Sequence, residues 1–336
     1  MRSLRPTPTF LNTHKFDLIF VGFMALVAIH YVTYITLLEV PMWDAAVYLE
    51  NAHNWVNGEP LFRDFRPQFI SWLIAGIWTI SGESWESAKY LQASFTLGAG
   101  IVLYLTLRKY KGGLFSIGVV SLTMLNAQVF YFSSFILTEG ISLFFLVLAL
   151  HCTRNEKARY WPIGGLSIGL TFAARYPVIL QAIVILVTEA LIRRNSRIFT
   201  YSMIGAIPTI TLLVVIIFLK TGTFQVALEK DTGLTPFLSS YYIMNALPIW
   251  SYAILLVPVA FLFRDTYADK RNYTFIAWFL ISLVFWSANV SNHQERFAIQ
   301  FTPAVYYLAI LAIENILRSK TVFECGFKRV ALIRQR

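Results

Sequence analysis

The sequence predicts an all-α, multi-pass membrane protein with about ten transmembrane helices. Hydrophobic residues make up 57% of the 336 positions and charged residues only 14%, against roughly 25% charged residues in a typical globular chain. The mean hydropathy is +0.60. Apolar runs recur along the chain at close to the ~20 residues that a helix needs to cross a bilayer. These features exclude a disordered protein, a coiled coil and a disulfide scaffold.

The net charge is +10, and most of the basic residues lie in clusters, each beside the end of an apolar run. Because loops rich in Lys and Arg remain on the cytosolic side, we assign the clusters to that side. They consist of Arg2, Arg5 and Lys15; Arg108, Lys109 and Lys111; Arg154, Lys157 and Arg159; Arg193, Arg194 and Arg197; Arg264, Lys270 and Arg271; and Arg318, Lys320, Lys328, Arg329, Arg334 and Arg336. This distribution argues against a nucleic-acid partner. Cys152 and Cys325 are both assigned to the cytosol, where we expect free thiols.

The alternation of basic clusters predicts ten spans with both termini in the cytosol. The spans are 16–38, 87–107, 114–132, 137–153, 160–174, 177–193, 198–219, 247–263, 273–289 and 297–316. A further apolar run, 69–81, is too short to span comfortably. We predict that it forms a re-entrant or interfacial helix on the outer face. Residues 1–316 are treated as a single transmembrane domain, followed by a basic cytosolic tail, 317–336.

Two external segments are predicted, 39–69 and 220–246. The first carries five acidic residues, Glu39, Asp44, Glu50, Glu59 and Asp64. Its middle part, Trp43 to Val56, has apolar residues near helical spacing and is followed by Asn57-Gly58. This pattern predicts an amphipathic helix on the membrane surface that ends at the glycine. An ordinary solvated connector is the alternative.

Asp44 is placed where the first span meets this surface helix, beside Trp43. A partly desolvated carboxylate at the lipid boundary is suited to act as a general base. Asp is also a favoured residue at the N-cap of a helix. From the residues alone, both roles for Asp44 remain open.

Three arginines are predicted at separate outer helix ends. Arg66 precedes Pro67 where the chain re-enters the membrane, Arg175 lies between two spans, and Arg296 opens the last span. A guanidinium group binds phosphate through paired hydrogen bonds. For Arg66, the alternative is that its side chain extends to phospholipid headgroups. Glu139 starts a helix on the same side, where it either interacts with the helix dipole or lines a shared cavity.

The stretch from Trp43 to Gln92 resembles the first luminal loop of the GT-C membrane glycosyltransferases. The similarity is to the branch that holds the protein O-mannosyltransferases and the bacterial aminoarabinose transferases of lipid A. The matching positions are Asp44, Gly58, Arg66-Pro67, Gly82 and the span that follows Ser87. Members of this family often have Glu directly after the Asp, whereas Ala45 follows Asp44 in this chain.

The resemblance extends over residues 16–316 through three further segments. Tyr131 to Glu139 is similar to a family segment that ends in Glu at an inward helix. Gly164 to Pro177 resembles a glycine-rich span followed by a basic-aromatic turn, and Glu295 to Pro303 resembles an arginine-aromatic motif before a late proline. The order and spacing of these motifs carry the similarity.

The resemblance implies an inverting glycosyltransferase of the hexosyl or mannosyl type. Its donor is a polyprenyl-phosphate sugar, and its acceptor is a hydroxyl of a protein, lipid or glycan outside the membrane. Asp44 is the expected base and Arg66 the first choice for the donor phosphate, with Arg175 and Arg296 as further choices. Glu139 is expected to orient the acceptor or a cationic partner. No metal and no cofactor is expected, and in a prokaryote the protein lies in the plasma membrane.

Two other functions remain open. A flippase for lipid-linked sugars, or another transporter, is expected to carry ionisable residues near the middle of the membrane or to have repeated halves. The predicted spans show neither feature. A non-catalytic membrane subunit of a glycosylation complex is the second alternative, and Ala45 slightly favours it.

Overall fold

The structure, a computed structural model, describes residues 10–38, 43–61, 66–221, 240–288 and 295–334, with side chains described between residues 14 and 319. All regular secondary structure in these ranges is helical, which confirms the all-α prediction. The α-helices are α1 (Phe10–Leu37), α2 (Trp43–Asn57), α3 (Phe69–Ser81), α4 (Trp85–Lys111), α5 (Gly113–Met124), α6 (Ala127–Ser134), α7 (Glu139–Arg154), α8 (Trp161–Ala174), α9 (Ile179–Ile192), α10 (Ser196–Thr221), α11 (Tyr241–Met244), α12 (Ala246–Trp250), α13 (Leu256–Phe261), α14 (Arg264–Ala268), α15 (Tyr273–Ala288) and α16 (Thr302–Arg334).

Several features predicted from the sequence lie outside the described residues. They include the end of the first span at Glu39, Asp64, Arg2 and Arg5, most of the external segment 220–246, and the side chains of the tail from residue 320 onward, Cys325 among them. Cys152 is a buried free thiol.

Helices α2 and α3 pack against each other through small, aliphatic and aromatic side chains. Ala45 and Ala52 of α2 are fully buried in the same apolar cluster as Ile70 and Ile74 of α3, and the rings of Trp55 and Trp72 meet edge to face. Each helix ends at a glycine with positive φ, Gly58 at 73° and Gly82 at 79°. Glycine adopts this left-handed conformation without the steric cost of a Cβ atom. The structure therefore has a helix at both positions that the sequence indicates.

Four described helical segments are long and apolar enough to cross a membrane. They are His14–Leu37, Trp85–Lys111, Ser196–Leu219 and Glu295–Ser319. A fifth is added if α5 and α6, which are bent by 57° at a short break, form one span. Several other apolar helices, such as the 16-residue α7, are shorter than the ~20 residues of a typical span. The protein is a multi-pass membrane protein, but the predicted count of about ten spans is not confirmed.

Two of the predicted continuous spans are broken. In the segment predicted as 114–132, α5 ends at Met124 and α6 begins at Ala127. Asn126 caps α6, because its Oδ1 accepts hydrogen bonds from the backbone N–H groups of Gln128 and Val129. An Asn cap gives the backbone an alternative to helix continuation. The segment predicted as 247–263 is divided among α12, a 3₁₀ turn at Ser251–Leu255 and α13.

Helix α7 is buried along most of its length and packs against α4, α8 and α9. Its 16 residues extend about 24 Å at ~1.5 Å per residue. Glu139 lies at its first position and Arg154 at its last. The helix therefore separates two sets of buried charges, one at each end.

Candidate active site

Asp44 lies in the first turn of α2 and is 5% exposed. Its carboxylate contacts two arginines from distant parts of the chain. Arg66 Nη2 lies 3.1 Å from Oδ1, and Arg296 Nη1 donates a hydrogen bond of 2.7 Å to Oδ2. Both carboxylate oxygens are therefore engaged by guanidinium groups.

Glu139 is the first residue of α7 and is 1% exposed. Its Oε1 accepts a hydrogen bond from Arg175 Nη1 and lies 3.6 Å from Arg296 Nε. Arg175 Nη1 also lies 3.3 Å from the hydroxyl of Thr138. Arg296 thus bridges the two carboxylates, Asp44 and Glu139.

All five residues singled out from the sequence meet in this one place. We call Asp44, Arg66, Glu139, Arg175 and Arg296 the Asp44 cluster. The local sequence explains three of these positions. Pro67 disfavours helical backbone at Arg66, Pro177 follows the end of α8 at Arg175, and Arg296 lies in a 3₁₀ turn at Glu295–Phe301 that leads into α16.

Two aromatic rings support the arginines: Phe297, which belongs to the arginine-aromatic motif of the sequence, and Trp286, which the sequence did not single out. The Phe297 ring centre is 4.7 Å from the guanidinium carbon of Arg175 and 5.6 Å from that of Arg296. Trp286 stacks on Phe297 with ring centres 4.8 Å apart. A guanidinium group over an aromatic face gains a favourable cation–π interaction. The only sequence signal for this support is that Phe297 directly follows Arg296.

The Asp44 cluster contains more positive than negative groups. Two carboxylates face three guanidinium groups, so the five side chains carry one net positive charge. Several polar atoms of these side chains, among them Glu139 Oε2 and Arg175 Nε, make no hydrogen bond within the described part of the protein. Nearby, burial raises the pKa of Tyr48 to about 12, so its hydroxyl is a hydrogen-bond donor near neutral pH. This chemistry suits an anionic ligand that accepts several hydrogen bonds.

An apolar cavity of about 290 Å³ lies between α11–α13 and α15. Its walls include Trp250, Val257, Phe279 and Leu283. Trp250 contacts Phe301, the last residue of the 3₁₀ turn that carries Arg296, with ring centres 5.3 Å apart. Within the described ranges, no three His, Cys, Asp or Glu side chains are grouped as a metal ion requires.

Comparison with known families matches residues 66–220 to the family described as dolichyl-phosphate-mannose-protein mannosyltransferase. The matched segment begins at Arg66 and includes Glu139 and Arg175, whereas Asp44 and Arg296 lie outside it. A comparison with curated proteins finds no match.

The solved structures that share the fold include two of ArnT from Cupriavidus metallidurans. The apo state matches with a TM-score of 0.72 at 15% identity, and the state bound to undecaprenyl phosphate with a TM-score of 0.70 at 14% identity. Each comparison covers 95% of this chain but only 64% of ArnT. The fold implied by the resemblance to the GT-C membrane glycosyltransferases is therefore confirmed, and residues 66–220 match a mannosyltransferase family model.

Proposed function

We propose that this protein is an inverting glycosyltransferase that moves a sugar from a polyprenyl-phosphate donor to an acceptor hydroxyl. One observation carries the proposal: two buried carboxylates and three guanidinium groups from separate segments converge in the Asp44 cluster. The matched mannosyltransferase segment and the undecaprenyl phosphate bound to ArnT support this choice of donor.

The arginines bind the donor phosphate, with Arg66 and Arg296 as its first contacts. Both now contact Asp44, so a phosphate that takes their hydrogen bonds frees a carboxylate oxygen. Arg66 is 17% exposed on its side chain and Arg296 is 18% exposed, whereas Arg175 is 10% exposed. The two more exposed arginines are thus better placed to meet an incoming headgroup.

Asp44 then acts as the general base. Its freed oxygen takes the proton of the acceptor hydroxyl, and the acceptor oxygen forms a bond to the anomeric carbon from the face opposite the phosphate. The bond between the anomeric carbon and the phosphate oxygen breaks, and its electron pair leaves on polyprenyl phosphate. The arginines stabilise this added negative charge. Attack from the opposite face inverts the configuration at the anomeric carbon.

Glu139 keeps the arginines in place. It contacts Arg175 and Arg296 from the N-terminus of α7, where a negative side chain also interacts favourably with the helix dipole. We assign it a role in orienting these cationic groups and, through them, the donor.

The apolar cavity fits the isoprenoid chain of the same donor. Its walls are formed by aromatic and branched aliphatic side chains from α11–α13 and α15. Burial of isoprene units against such surfaces contributes binding energy in proportion to the apolar area removed from water. We therefore place the start of the lipid chain beside the Asp44 cluster.

The active site is assigned to the extracytoplasmic side, because the basic clusters of the sequence occupy the other end of the helices. In a prokaryote this is the outer face of the plasma membrane. The expected sugar is a hexose, with mannose as the first candidate. The expected acceptor is a hydroxyl of a protein, lipid or glycan. No metal or cofactor is part of the proposed reaction.

The experiment uses membranes that contain the protein and undecaprenyl-phosphate [14C]mannose, with synthesis of lipid-linked sugars blocked. We expect label to pass from the lipid to a membrane acceptor in the unsubstituted protein and not in Asp44→Asn. GDP-[14C]mannose should give no direct transfer. Direct use of the nucleotide sugar would refute the proposal. Movement of the lipid-linked sugar across vesicles without transfer would instead identify a flippase.

A further inference from the structure

Lys89 is an unusual residue in α4 because a lysine near the end of a membrane helix normally extends its ammonium group to the headgroups. Here the residue is only 2% exposed. A buried ammonium group is costly unless it is hydrogen-bonded. Its contacts therefore indicate what the charge does inside the protein.

The Lys89 ammonium group binds the end of α1. Its Nζ donates hydrogen bonds to the backbone carbonyls of Ile35, at 2.9 Å, and Leu38, at 3.0 Å. The ring of Trp85 lies 5.0 Å from Nζ, and the Trp85 indole N–H is 3.5 Å from the same Leu38 carbonyl. The last carbonyls of a helix have no partner within the helix and carry partial negative charge. Lys89 thus acts as a C-terminal cap supplied by a neighbouring helix.

The end of α1 is close to Asp44 in the sequence. Asp44 follows Leu38 by six positions and is the second residue of α2. The rest of α2 is held by the packing of Ala45 and Ala52 against α3. The first turn of α2 therefore has its own packing against α3, and the capped end of α1 precedes it by a few positions in the chain.

We propose that Lys89 is a positioning residue for catalysis: by fixing the C-terminus of α1 it sets the placement of Asp44. This inference rests on the proposed function. Reaction rates are sensitive to such placement, because a shift of ~1 Å in a reacting group can cost ~100-fold in rate. Lys89 is not a member of the Asp44 cluster and donates its hydrogen bonds to the end of α1, so donor binding by the arginines is separate from its action.

The same two helices provide a matched control at their other ends. There Arg108 of α4 forms an ion pair with Asp17 of α1, and the Tyr104 hydroxyl donates to Asp17 at 2.7 Å. This contact also joins α1 to α4, but it lies five helical turns along α4 from Lys89, at ~3.6 residues per turn. Loss of Arg108 should weaken the helix pair without moving Asp44.

The kinetic test compares Lys89→Met, Lys89→Arg and Arg108→Met, with undecaprenyl-phosphate mannose as the donor probe. Lys89→Met should lower kcat by about 10- to 100-fold with little change in the donor KM. Lys89→Arg should restore most of kcat, since a guanidinium group donates to the same carbonyls. Arg108→Met should lower the melting temperature but leave kcat near that of the unsubstituted protein.

Two results would overturn the inference. One is a kcat for Lys89→Met no lower than that of Arg108→Met at equal folded fraction. The other is a rise in donor KM that accounts for the lost activity, which would make Lys89 a phosphate ligand. If Lys89→Met does not accumulate, Lys89→Gln replaces it, and failure of both variants to fold would assign Lys89 to stability alone.

A second measurement is independent of activity. Hydrogen exchange should become faster at the end of α1 and in the first turn of α2 in Lys89→Met, with α3 and α7 unchanged. Arg108→Met should leave the first turn of α2 protected. If the unsubstituted protein transfers no sugar, the proposed function is refuted. If hydrogen exchange is unchanged in Lys89→Met, the positioning role of Lys89 is refuted, whether or not the protein transfers sugar.

Discussion

The two ends of α7 carry buried charges with different composition. At the Glu139 end, two carboxylates share three arginines, and polar atoms of Glu139 and Arg175 make no hydrogen bond among the described residues. At the Arg154 end, one arginine faces one carboxylate. Glu189 Oε1 accepts hydrogen bonds from Arg154 Nε at 2.8 Å and from the Thr274 hydroxyl at 2.7 Å.

The Arg154 pair, which we define as Arg154 and Glu189, is also supported by its surroundings. Arg154 donates to the backbone carbonyl of Arg271 at 2.8 Å and lies over the rings of Tyr110 and Phe275. Its charge is balanced within the protein. The Asp44 cluster instead leaves a positive charge and hydrogen-bonding capacity for a ligand. Buried ion pairs in this protein thus serve two purposes, stability at the Arg154 pair and ligand binding at the Asp44 cluster. The ratio of carboxylates to guanidinium groups distinguishes the two sites.

The largest expected effect is that of Asp44→Asn. Asn has nearly the size of Asp and keeps a side-chain oxygen that can accept the hydrogen bond from Arg296, so the protein should accumulate and bind donor lipid, but the base is lost. General-base catalysis contributes ~10²–10⁴-fold, and sugar transfer at saturating donor should fall by that factor. The measurement is kcat with a labelled lipid-linked sugar, beside donor binding to the same preparation.

Near-normal turnover in Asp44→Asn would remove Asp44 from the reaction and leave it as an ion-pair partner of Arg66 and Arg296. The same substitution at Asp17, which pairs with Arg108 away from the cluster, serves as the control. Asp17→Asn should retain kcat while losing stability.

Glu189→Gln tests whether the Arg154 pair contributes to stability and not to catalysis. Removal of one partner from a buried ion pair leaves the other charge uncompensated and costs about 3–5 kcal/mol. The free energy of unfolding should fall by that amount, whereas kcat of the protein that remains folded should not change. Thermal unfolding in detergent measures the first quantity. Glu314→Gln, at an exposed pair with Arg318, should cost no more than about 1 kcal/mol.

The sequence predicted the elements around the site better than the long spans. The prediction for α3 matched its bounds, because Pro67 and Gly82 limit a short apolar run. The segment 114–132 was predicted as one helix, since apolar periodicity does not reveal that Asn126 binds the next turn and breaks the helix. The convergence of Asp44 with Arg296, 252 positions apart, depends on tertiary packing and has no local signal.

Arg66→Ala is expected to affect donor binding more than Asp44→Asn does. A hydrogen bond to a charged group contributes about 1.5–3 kcal/mol, which corresponds to a roughly 10- to 100-fold higher donor KM. Because Arg66 holds the phosphate in both ground and transition states, turnover should fall as well. Steady-state kinetics with varied donor lipid measures both effects.

The control for Arg66 comes from the other end of α7. Arg193 donates to the backbone carbonyls of Thr153 and Asn155, so Arg193→Ala should leave the donor KM unchanged. Arg66→Lys retains the charge but loses the paired donors and should give an intermediate KM. A normal donor KM in Arg66→Ala would show that Arg296 and Arg175, and not Arg66, bind the donor phosphate.

The smallest effect is expected at an exposed pair that joins α2 to the turn before α4. His53 Nδ1 lies 2.9 Å from Glu83 Oε1, and this hydrogen bond raises the pKa of His53 above its ordinary 6.5. Since the folded pKa is raised, the stabilisation is complete below pH 6.5 and is lost as the pH rises through the folded value. The pair is exposed, so its effect on the melting temperature should be slight. His53→Gln should lower the melting temperature at acidic pH and match the unsubstituted protein at alkaline pH. A difference that persists at alkaline pH would show that His53 stabilises α2 by packing and not through its charge.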